Sequence, residues 1–217
     1  MASQVIYGKQ PVAEAERGRR RQVLRVWRAP EASVGELERL CGSSDHQGVV
    51  AEVEPYPYAG SAELLKVENA LLIALDQVQD PRNLGAVARS AEAAGAAGLV
   101  IPERRSAAVT AVTCKASAGA VEHLEIAHVR NLADWLAEAK EAGFWIWGAD
   151  AAAKQAPWDV DLSGPTVLVM GGEGKGLRPR VGSACDGLIA LPQRGRVDSL
   201  NVSAAASALL FEAVRQR

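Results

Sequence analysis

The residues best suited to chemistry lie in three short segments that are rich in glycine and polar side chains. In the first, residues 76–90, Pro81 and Asn83 are typical turn and helix-capping residues, so a helix is predicted to begin near Asn83. Arg89 then lies about one and a half turns into this helix. A helix N-terminus beside a guanidinium group can bind a phosphate or another anion. The same pattern also fits an asparagine cap followed by a surface arginine, and both interpretations stay open.

The second segment has four glycines within residues 171–176, directly after a predicted strand. Clustered glycines suit a backbone that approaches a ligand closely or adopts positive φ angles. The spacing excludes two standard nucleotide motifs. A phosphate-binding loop would need glycine at Val169 and serine or threonine at Gly176, and the dinucleotide fingerprint would need glycine at Leu177. A flexible connector is less favoured, because burying Glu173 in such a turn is costly without partners. The segment therefore predicts a ligand site of another kind.

The third segment, residues 192–203, leads into the last predicted helix. Arg194 and Arg196 flank a glycine there, in a pattern that resembles an anion-binding loop. Ser199 or Asn201 could simply cap the helix, which is the commonest reason for such residues at this place.

Apolar runs of strand length alternate with helical stretches from residue 68 onward. The runs are almost continuously hydrophobic, which is what a parallel sheet covered on both faces requires. The alternation predicts an α/β fold with right-handed crossovers, in which ligands bind outside the carboxyl ends of the strands. Trp145 and Trp147 alternate with apolar residues in one such strand, which favours buried packing for both. The predicted strands are 49–53, 70–75, 98–101, 124–129, 144–148, 166–170 and 188–191, and the predicted helices are 84–94, 110–121, 132–142 and 202–217.

The charge of the whole chain is close to neutral, with 24 Lys+Arg against 26 Asp+Glu in 217 residues and a formal net charge of −2. This balance excludes a histone-like protein that holds nucleic acid by bulk electrostatics. The arginines are nevertheless unevenly spread, since residues 17–28 contain six of them and no acid. The cluster is either a solvated face or a site for RNA phosphates.

The sequence has neither a membrane-spanning segment nor a metal-binding motif. Its longest clean apolar run, residues 70–75, is far too short to cross a bilayer, and the N-terminus lacks the apolar core of a signal peptide. Cys41, Cys114 and Cys185 are widely spaced, which indicates a reducing compartment without a disulfide framework. The three histidines are scattered without ligand spacing, so we assign no metal. We expect a soluble, cytosolic protein.

Taken in order, the three segments resemble the motifs of the SpoU/TrmH group of SPOUT RNA methyltransferases. Asn83-Leu84-Gly85 with Arg89 is similar to the first motif, Gly171-Gly172-Glu173-Gly174 to the second, and Ser199-Leu200-Asn201-Val202-Ser203 to the third. The resemblance extends over roughly residues 68–217. Three motifs in the same order make it highly specific.

The two ends of the sequence indicate which members of this family the chain resembles most. The opening Val5-Ile6-Tyr7-Gly8 and the ending Leu210-Phe211-Glu212-Ala213-Val214-Arg215 are most similar to bacterial large-subunit rRNA guanosine ribose methyltransferases. In such proteins a short N-terminal module resembles an L30e-like RNA-binding domain, which is shortened here. The resemblance implies a small α+β RNA substrate-binding module at residues 1–60, a linker at 61–67 and a SPOUT catalytic domain at 68–217.

This resemblance also implies a fold, a cofactor and an assembly. In SPOUT domains a mainly parallel sheet is flanked by helices, and the C-terminal segment passes through a loop as a deep trefoil knot. The knot forms the pocket for S-adenosylmethionine, and family members generally work as homodimers. Carried over by position, the cofactor contacts are Gly171, Gly172, Leu191, Leu200 and Asn201.

The reaction implied by the resemblance is methyl transfer to a ribose 2′-hydroxyl, of a guanosine in 23S rRNA. Catalytic or RNA-positioning roles fall on Asn83, Arg89, Glu173, Ser199 and Asn201. RNA contacts fall on Arg19, Arg20, Arg21, Lys175, Arg194 and Arg196. Because an arginine almost never loses its proton, we expect Arg89 to bind phosphate and stabilise alkoxide character rather than to act as a base.

Three alternatives stay open. The substrate could be tRNA, because the motifs are shared by rRNA and tRNA enzymes. The chain could also be an inactive SPOUT protein that only binds RNA, although its three motifs are intact. An ordinary nicotinamide- or ATP-binding enzyme is the third, and the glycine spacing argues against it. The favoured partners are structured RNA, with rRNA ahead of tRNA, and a second copy of the chain.

Overall fold

The computed structural model describes residues 3–172, 176–196 and 199–217. Within them the chain forms two compact units. The first contains the described residues of Met1–Pro57, Pro81–Arg89 and Ala108–His123, and the second those of Tyr58–Asp80, Ser90–Ala107 and Leu124–Arg217. The elements in chain order are β1 (Gln4–Tyr7), α1 (Lys9–Gly18), β2 (Val23–Arg28), α2 (Val34–Cys41), β3 (Val49–Val53), α3 (Ser61–Leu64), β4 (Leu71–Asp76), α4 (Pro81–Ala93), β5 (Gly98–Pro102), α5 (Ala111–Ala116), a 3₁₀ helix (Ala120–Glu122), β6 (Ile126–Val129), α6 (Leu132–Glu141), β7 (Trp145–Ala149), a second 3₁₀ helix (Pro157–Asp159), β8 (Thr166–Gly171), α7 (Pro179–Ala184), β9 (Gly187–Ile189) and α8 (Val202–Gln216).

A three-stranded antiparallel sheet, in the order β1–β3–β2, lies at the centre of the first unit. Leu37 of α2 packs with Tyr7 of β1 and Val50 of β3 in the core of this unit. Ser33 caps α2 by accepting a hydrogen bond from a backbone N–H of its first turn. The predicted strand 49–53 is confirmed as β3.

A buried ion pair joins two distant segments of the first unit. The Arg21 guanidinium donates to both carboxylate oxygens of Glu122, with Nε 3.2 Å from Oε2, and both side chains are 1% exposed. Its Nη2 also lies 3.3 Å from Sγ of Cys114, and its centre lies 5.6 Å from the ring centre of Tyr56. Burial alone would lower the pKa of Arg21, but Glu122 and Cys114 raise it above its ordinary value. The Arg21 guanidinium is therefore enclosed inside the unit and paired with a carboxylate, so the RNA contact predicted for Arg21 stays a prediction that its burial does not favour.

Six parallel strands, in the order β6–β5–β4–β8–β7–β9, form the sheet of the second unit. All six residues of β4 are buried, so both faces are covered at the middle of the sheet. Leu132 and Leu136 of α6 pack with Leu72 of β4 on one face, and α8 contacts β8. The prediction of an α/β fold with a mainly parallel sheet flanked by helices is confirmed.

The start of α4 differs from the prediction. The helix begins at Pro81 rather than near Asn83, because the fixed φ of proline suits the first position of a helix. Asn83 is therefore a buried residue of the first turn and not the cap, while Arg89 is exposed further along α4.

The predicted helix 110–121 is interrupted. It ends as α5 at Ala116, and Ala118 and Gly119 then adopt left-handed φ angles of 51° and 88°. A Cβ on Gly119 would lie 2.6 Å from Cβ of Glu14 in α1, so glycine allows the chain to turn close to α1.

Among the described residues, no helix is both long enough and apolar enough to cross a membrane.

Candidate functional site

A cavity of about 720 Å³ opens at the carboxyl ends of three neighbouring strands. β7 ends at Ala149, β8 at Gly171 and β9 at Ile189, and all three residues line it. Ligands of open α/β sheets bind at this edge. The five residues predicted to contact a cofactor all line this cavity, and they are Gly171, Gly172, Leu191, Leu200 and Asn201.

One wall of the cavity consists of Gly171, Gly172, Gly176 and Leu177, which we call the glycine wall. A Cβ on Gly171 would lie 2.2 Å from the carbonyl carbon of Gly176, far inside van der Waals contact. The N–H of Gly176 donates to the carbonyl of Gly172 at 3.2 Å, and Gly176 itself has a φ of 62°. Only glycine allows this close approach of backbone to backbone. The wall therefore presents mainly peptide groups to the cavity.

Another part of the cavity lining is the start of α8. Asn201 is the N-cap, since its Oδ1 accepts hydrogen bonds from the backbone N–H of Ser203 at 2.8 Å and from Oγ of Ser203 at 2.6 Å. Of the two residues that could cap this helix, Asn201 does so. Ser199 and Leu200 are exposed and line the cavity beside it.

Two polar lining residues were missed by the sequence analysis. Asp150 directly follows β7, and its Oδ1 accepts a hydrogen bond from the N–H of Ala152 at 2.8 Å. Gln193 follows β9. Each lies two residues after a predicted strand, and this position was the available signal, because the carboxyl ends of parallel strands share one edge of the sheet.

The other predicted catalytic and RNA-binding residues are distributed as follows. Asn83 and Arg89 belong to the part of α4 that lies in the first unit. Arg194 and Arg196 are exposed in the segment between β9 and α8. Glu173 and Lys175 lie outside the described residues.

The basic cluster at the end of α1 is only partly available to a ligand. Arg19 is exposed and is the left-handed C-cap residue of α1, with a φ of 51°. Arg20 is half-buried, its Nε donates to the carbonyl of Glu122 at 3.3 Å, and its guanidinium lies 5.8 Å from the ring centre of Tyr56. Arg21 is buried, so Arg19 is the best exposed of the three consecutive arginines.

The buried packing predicted for Trp145 is wrong. Its side chain is 58% exposed, and its ring is stacked on that of the half-buried Trp147, with centroids 6.5 Å apart. The neighbouring strand β9 begins opposite Trp147, where Gly187 leaves room for the indole. Because β9 pairs with β7 only from Trp147 onward, Trp145 has no residue of β9 beside it.

Thiol and metal chemistry find no support in the described part of the chain. Burial raises the pKa of Cys114 to about 11 and that of Cys185 to about 12. Both thiols thus stay protonated at neutral pH and are poor nucleophiles. No group of three or more His, Cys, Asp or Glu in the described ranges could hold a metal ion.

A family model and several relatives with similar sequences all point to RNA methyltransferases. The model of the SpoU rRNA Methylase family matches residues 70–211. A protein of Bacillus subtilis, whose name assigns it to TrmH family tRNA/rRNA methyltransferases, is 46% identical over 81% of this chain and 72% of its own length. A tRNA/rRNA methyltransferase of Synechocystis sp. is 42% identical over 83% of this chain, and one of Mycobacterium avium is 43% identical over 86%. The match spans only 48% and 62% of the lengths of these two relatives.

Two solved structures match different shares of this chain. The AdoMet-bound rRNA methyltransferase of Sinorhizobium meliloti has a TM-score of 0.86 and 27% identity, over 98% of this chain and 87% of the other. The TrmH/SpoU tRNA modifying enzyme of A. aeolicus has a TM-score of 0.63 and 32% identity, over 72% of this chain and 80% of the other.

Proposed function

The chain belongs to the SpoU rRNA methylase family, and from this premise we propose that it transfers a methyl group from S-adenosylmethionine to a ribose 2′-hydroxyl of RNA. The observation that carries the proposal is the cavity at the carboxyl ends of β7, β8 and β9. It is lined by all the residues that the resemblance assigns to the cofactor. Its volume of about 720 Å³ is within the range of small-molecule sites.

The composition of the cavity suits an adenosine. Leu177, Leu191 and Leu200 offer apolar surface for a purine, while the glycine wall offers backbone N–H and C=O groups for its polar edges. We propose that Gly171, Leu191 and Leu200 hold the adenosine and that the C-terminal segment around it forms the trefoil knot of SPOUT proteins. When bound, S-adenosylmethionine supplies an electrophilic methyl group.

The chain's own contribution is to position and activate the ribose hydroxyl. We propose that Arg89 binds the neighbouring phosphate and stabilises negative charge on the 2′-oxygen, while the hydroxyl proton passes to a phosphate oxygen or to water. We propose that Asn83 and Glu173 take catalytic or RNA-positioning roles, and that Ser199 and Asn201 position the RNA backbone.

Ribosomal RNA is the proposed substrate, with tRNA as the alternative. The rRNA methyltransferase of S. meliloti matches 98% of this chain, whereas the tRNA enzyme of A. aeolicus matches 72%. We further propose residues 1–60 as a substrate-binding module, 61–67 as a linker and 68–217 as the catalytic domain. Exposed Arg19, Arg194 and Arg196 suit phosphate contacts. A guanosine of 23S rRNA is the proposed target, which implies a cytoplasmic enzyme.

The test uses the full chain, tritium-labelled S-adenosylmethionine, and unmodified 23S rRNA or tRNA transcripts. A 2′-O-methyl group blocks alkaline cleavage of the next phosphodiester, so the label is expected in alkali-resistant dinucleotides from 23S rRNA. Label in mononucleotides would contradict ribose methylation, and label in tRNA alone would contradict the rRNA assignment. Calorimetry that shows RNA binding but no S-adenosylmethionine binding would identify an inactive RNA-binding protein.

The glycine wall gives a direct prediction. We expect Gly171→Ala to raise the Kd for S-adenosylmethionine about tenfold or more, since the new methyl group would collide with the backbone of Gly176. Isothermal titration calorimetry measures the change. Gly182→Ala in α7 is the matched control, because a Cβ there meets nothing within 4 Å. Equal affinity of both variants would show that the wall does not contact the cofactor.

A second apolar stripe on α8 supports a homodimer. Leu209 and Leu210 face the interior, yet Ala208, Phe211 and Val214 are exposed, with Phe211 at 50%. Neighbouring large apolar side chains that are exposed on one face of a helix often mark a surface that a partner covers. Because α8 begins at the cavity, we propose that a second copy of the chain covers this stripe.

Phe211→Glu should convert the dimer to a monomer, because a carboxylate at the centre of an apolar interface would be buried without a partner. We expect dimerisation to weaken about 30-fold or more. Sedimentation equilibrium measures this, and Val34→Glu, at an exposed apolar residue of the first unit, is the control. If wild type and Phe211→Glu have the same mass in solution, the stripe is not the dimer interface.

A further inference from the structure

We propose that Asp76 and Arg178 form a clamp that holds the glycine wall in its ligand-binding conformation, so that they act as positioning residues for S-adenosylmethionine. This inference rests on the proposed function. Neither residue belongs to the lining of the cavity or to the predicted site. The clamp ties the end of β4 to the segment that follows the glycine wall.

The hydrogen bonds of the clamp converge on one buried carboxylate. Asp76 is the last residue of β4, and its side chain is completely buried. Its Oδ1 accepts from Nε and Nη2 of Arg178, each at 2.7 Å, and its Oδ2 accepts from the backbone N–H of Arg178 at 2.8 Å. A buried carboxylate without partners is very costly, so these three donors account for its presence at the strand end.

The clamp encloses the glycine wall between its two ends. Asp76 lies opposite Gly171 in the β4–β8 ladder, and Arg178 directly follows Leu177 at the other end of the wall. The Asp76 side chain thus ties Arg178 to the strand end that lies opposite Gly171.

The backbone at the end of β4 packs tightly against the glycine wall, so a shift of Asp76 would also shift the wall. Gln77, the residue after Asp76, has a left-handed φ of 62°, which is rare for a residue with a side chain. A Cβ on Gly172 would lie 2.8 Å from the carbonyl oxygen of Gln77. The glycine wall therefore rests directly on the backbone at the end of β4, with no side chain between them.

Preorganisation is the physical reason for such a clamp. Glycine has more backbone freedom than any other residue, so a wall built from it would lose much entropy on binding a ligand. Fixing both ends of the wall in the free protein removes part of that cost. An ion pair that only stabilises the fold would leave the affinity for S-adenosylmethionine unchanged. Ligand affinity therefore distinguishes a positioning role from a purely structural one.

The test compares Asp76→Asn with Asp186→Asn. Asp186 is a matched control, since its carboxylate also pairs with a cation, Lys140 at 2.8 Å, and also accepts from a backbone N–H, that of Ile146 at 2.8 Å. We expect Asp76→Asn to raise the Kd and KM for S-adenosylmethionine about tenfold or more, with kcat at saturating cofactor nearly unchanged. Asp186→Asn should leave Kd and KM at wild-type values, even where both variants lower Tm equally.

Arg178→Ala keeps the inference testable if Asp76→Asn does not fold. It removes the guanidinium but leaves the backbone N–H that donates to Asp76, and its side chain is 43% exposed. We expect it to weaken cofactor binding less than Asp76→Asn does, and Arg178→Lys to recover part of the loss. Wild-type affinity in Asp76→Asn and Arg178→Ala would overturn the clamp. Absence of S-adenosylmethionine binding by the wild-type chain would instead overturn the proposed function.

Discussion

Replacing Arg89 by alanine is expected to lower the kcat of methyl transfer about 10²–10³-fold, which is the usual loss when one preorganised group that stabilises an oxyanion is removed. Arg89 is exposed on α4, so its removal leaves no cavity and should not change Tm. Loss of the contact with charge that develops on the 2′-oxygen should lower kcat. Loss of the contact with the phosphate, which is charged before the reaction, should also raise the KM for RNA, so kcat/KM should fall further than kcat. Multiple-turnover assays with labelled S-adenosylmethionine and varied 23S rRNA concentration measure both.

Two further variants define what Arg89 does. Arg89→Lys keeps a positive charge but loses the planar fork that binds a phosphate through two N–H groups. Activity close to wild type in this variant would show that charge alone suffices. Arg39→Ala, at an exposed arginine of α2, is the control for nonspecific loss of positive charge. If Arg89→Ala turns over RNA as fast as Arg39→Ala does, Arg89 has no central role.

Some residues around the cavity were predictable from local signals and others only from the resemblance. Glycines at 171, 172 and 176 follow an apolar run, and that order alone predicts a backbone-lined wall at the end of a buried strand. Leu191, Leu200 and Asn201 were found through the resemblance, since no local rule distinguishes them from other loop residues. All six residues line one cavity in the structure.

Features that depend on partners distant in sequence could not be predicted. Asp76 reads as an ordinary polar residue at a strand end until the fold brings Arg178 to it. Trp145 has the same strand pattern as Trp147, and only the short length of β9 leaves it exposed. Local periodicity carries no information about such neighbours.

The burial of Arg21 could not be predicted either, because in the sequence Arg21 is one of six arginines that form a basic cluster. The fold instead pairs it with Glu122, from a segment that lies far along the chain. An isolated buried charge is far more costly than an exposed one, so the pair predicts a large effect on stability.

Glu122→Gln is expected to reduce the free energy of unfolding by about 3–5 kcal/mol, because the Arg21 guanidinium would remain buried without a counter-charge. Urea unfolding followed by circular dichroism measures the loss. Hydrogen exchange should place it in β1, β2 and β3, which share a unit with the pair. The exposed pair between Glu16 and Arg28 is the control, and Glu16→Gln should cost about 0–1 kcal/mol. Equal losses in both variants would mean that the buried pair is not a major determinant of stability.

The double variant Arg21→Met/Glu122→Leu separates charge burial from RNA binding. Replacing a buried ion pair by apolar residues of similar size is often neutral or stabilising, so most of the stability lost in Glu122→Gln should return. The double variant should also bind RNA with wild-type affinity and wild-type salt dependence, because the Arg21 guanidinium is enclosed and faces a carboxylate. Arg19→Ala, at an exposed neighbour, should reduce the slope of log K against log salt by about 1. A reduced slope in the double variant would mean that Arg21 reaches RNA after all, and then the six arginines of residues 17–28 would act as one basic surface.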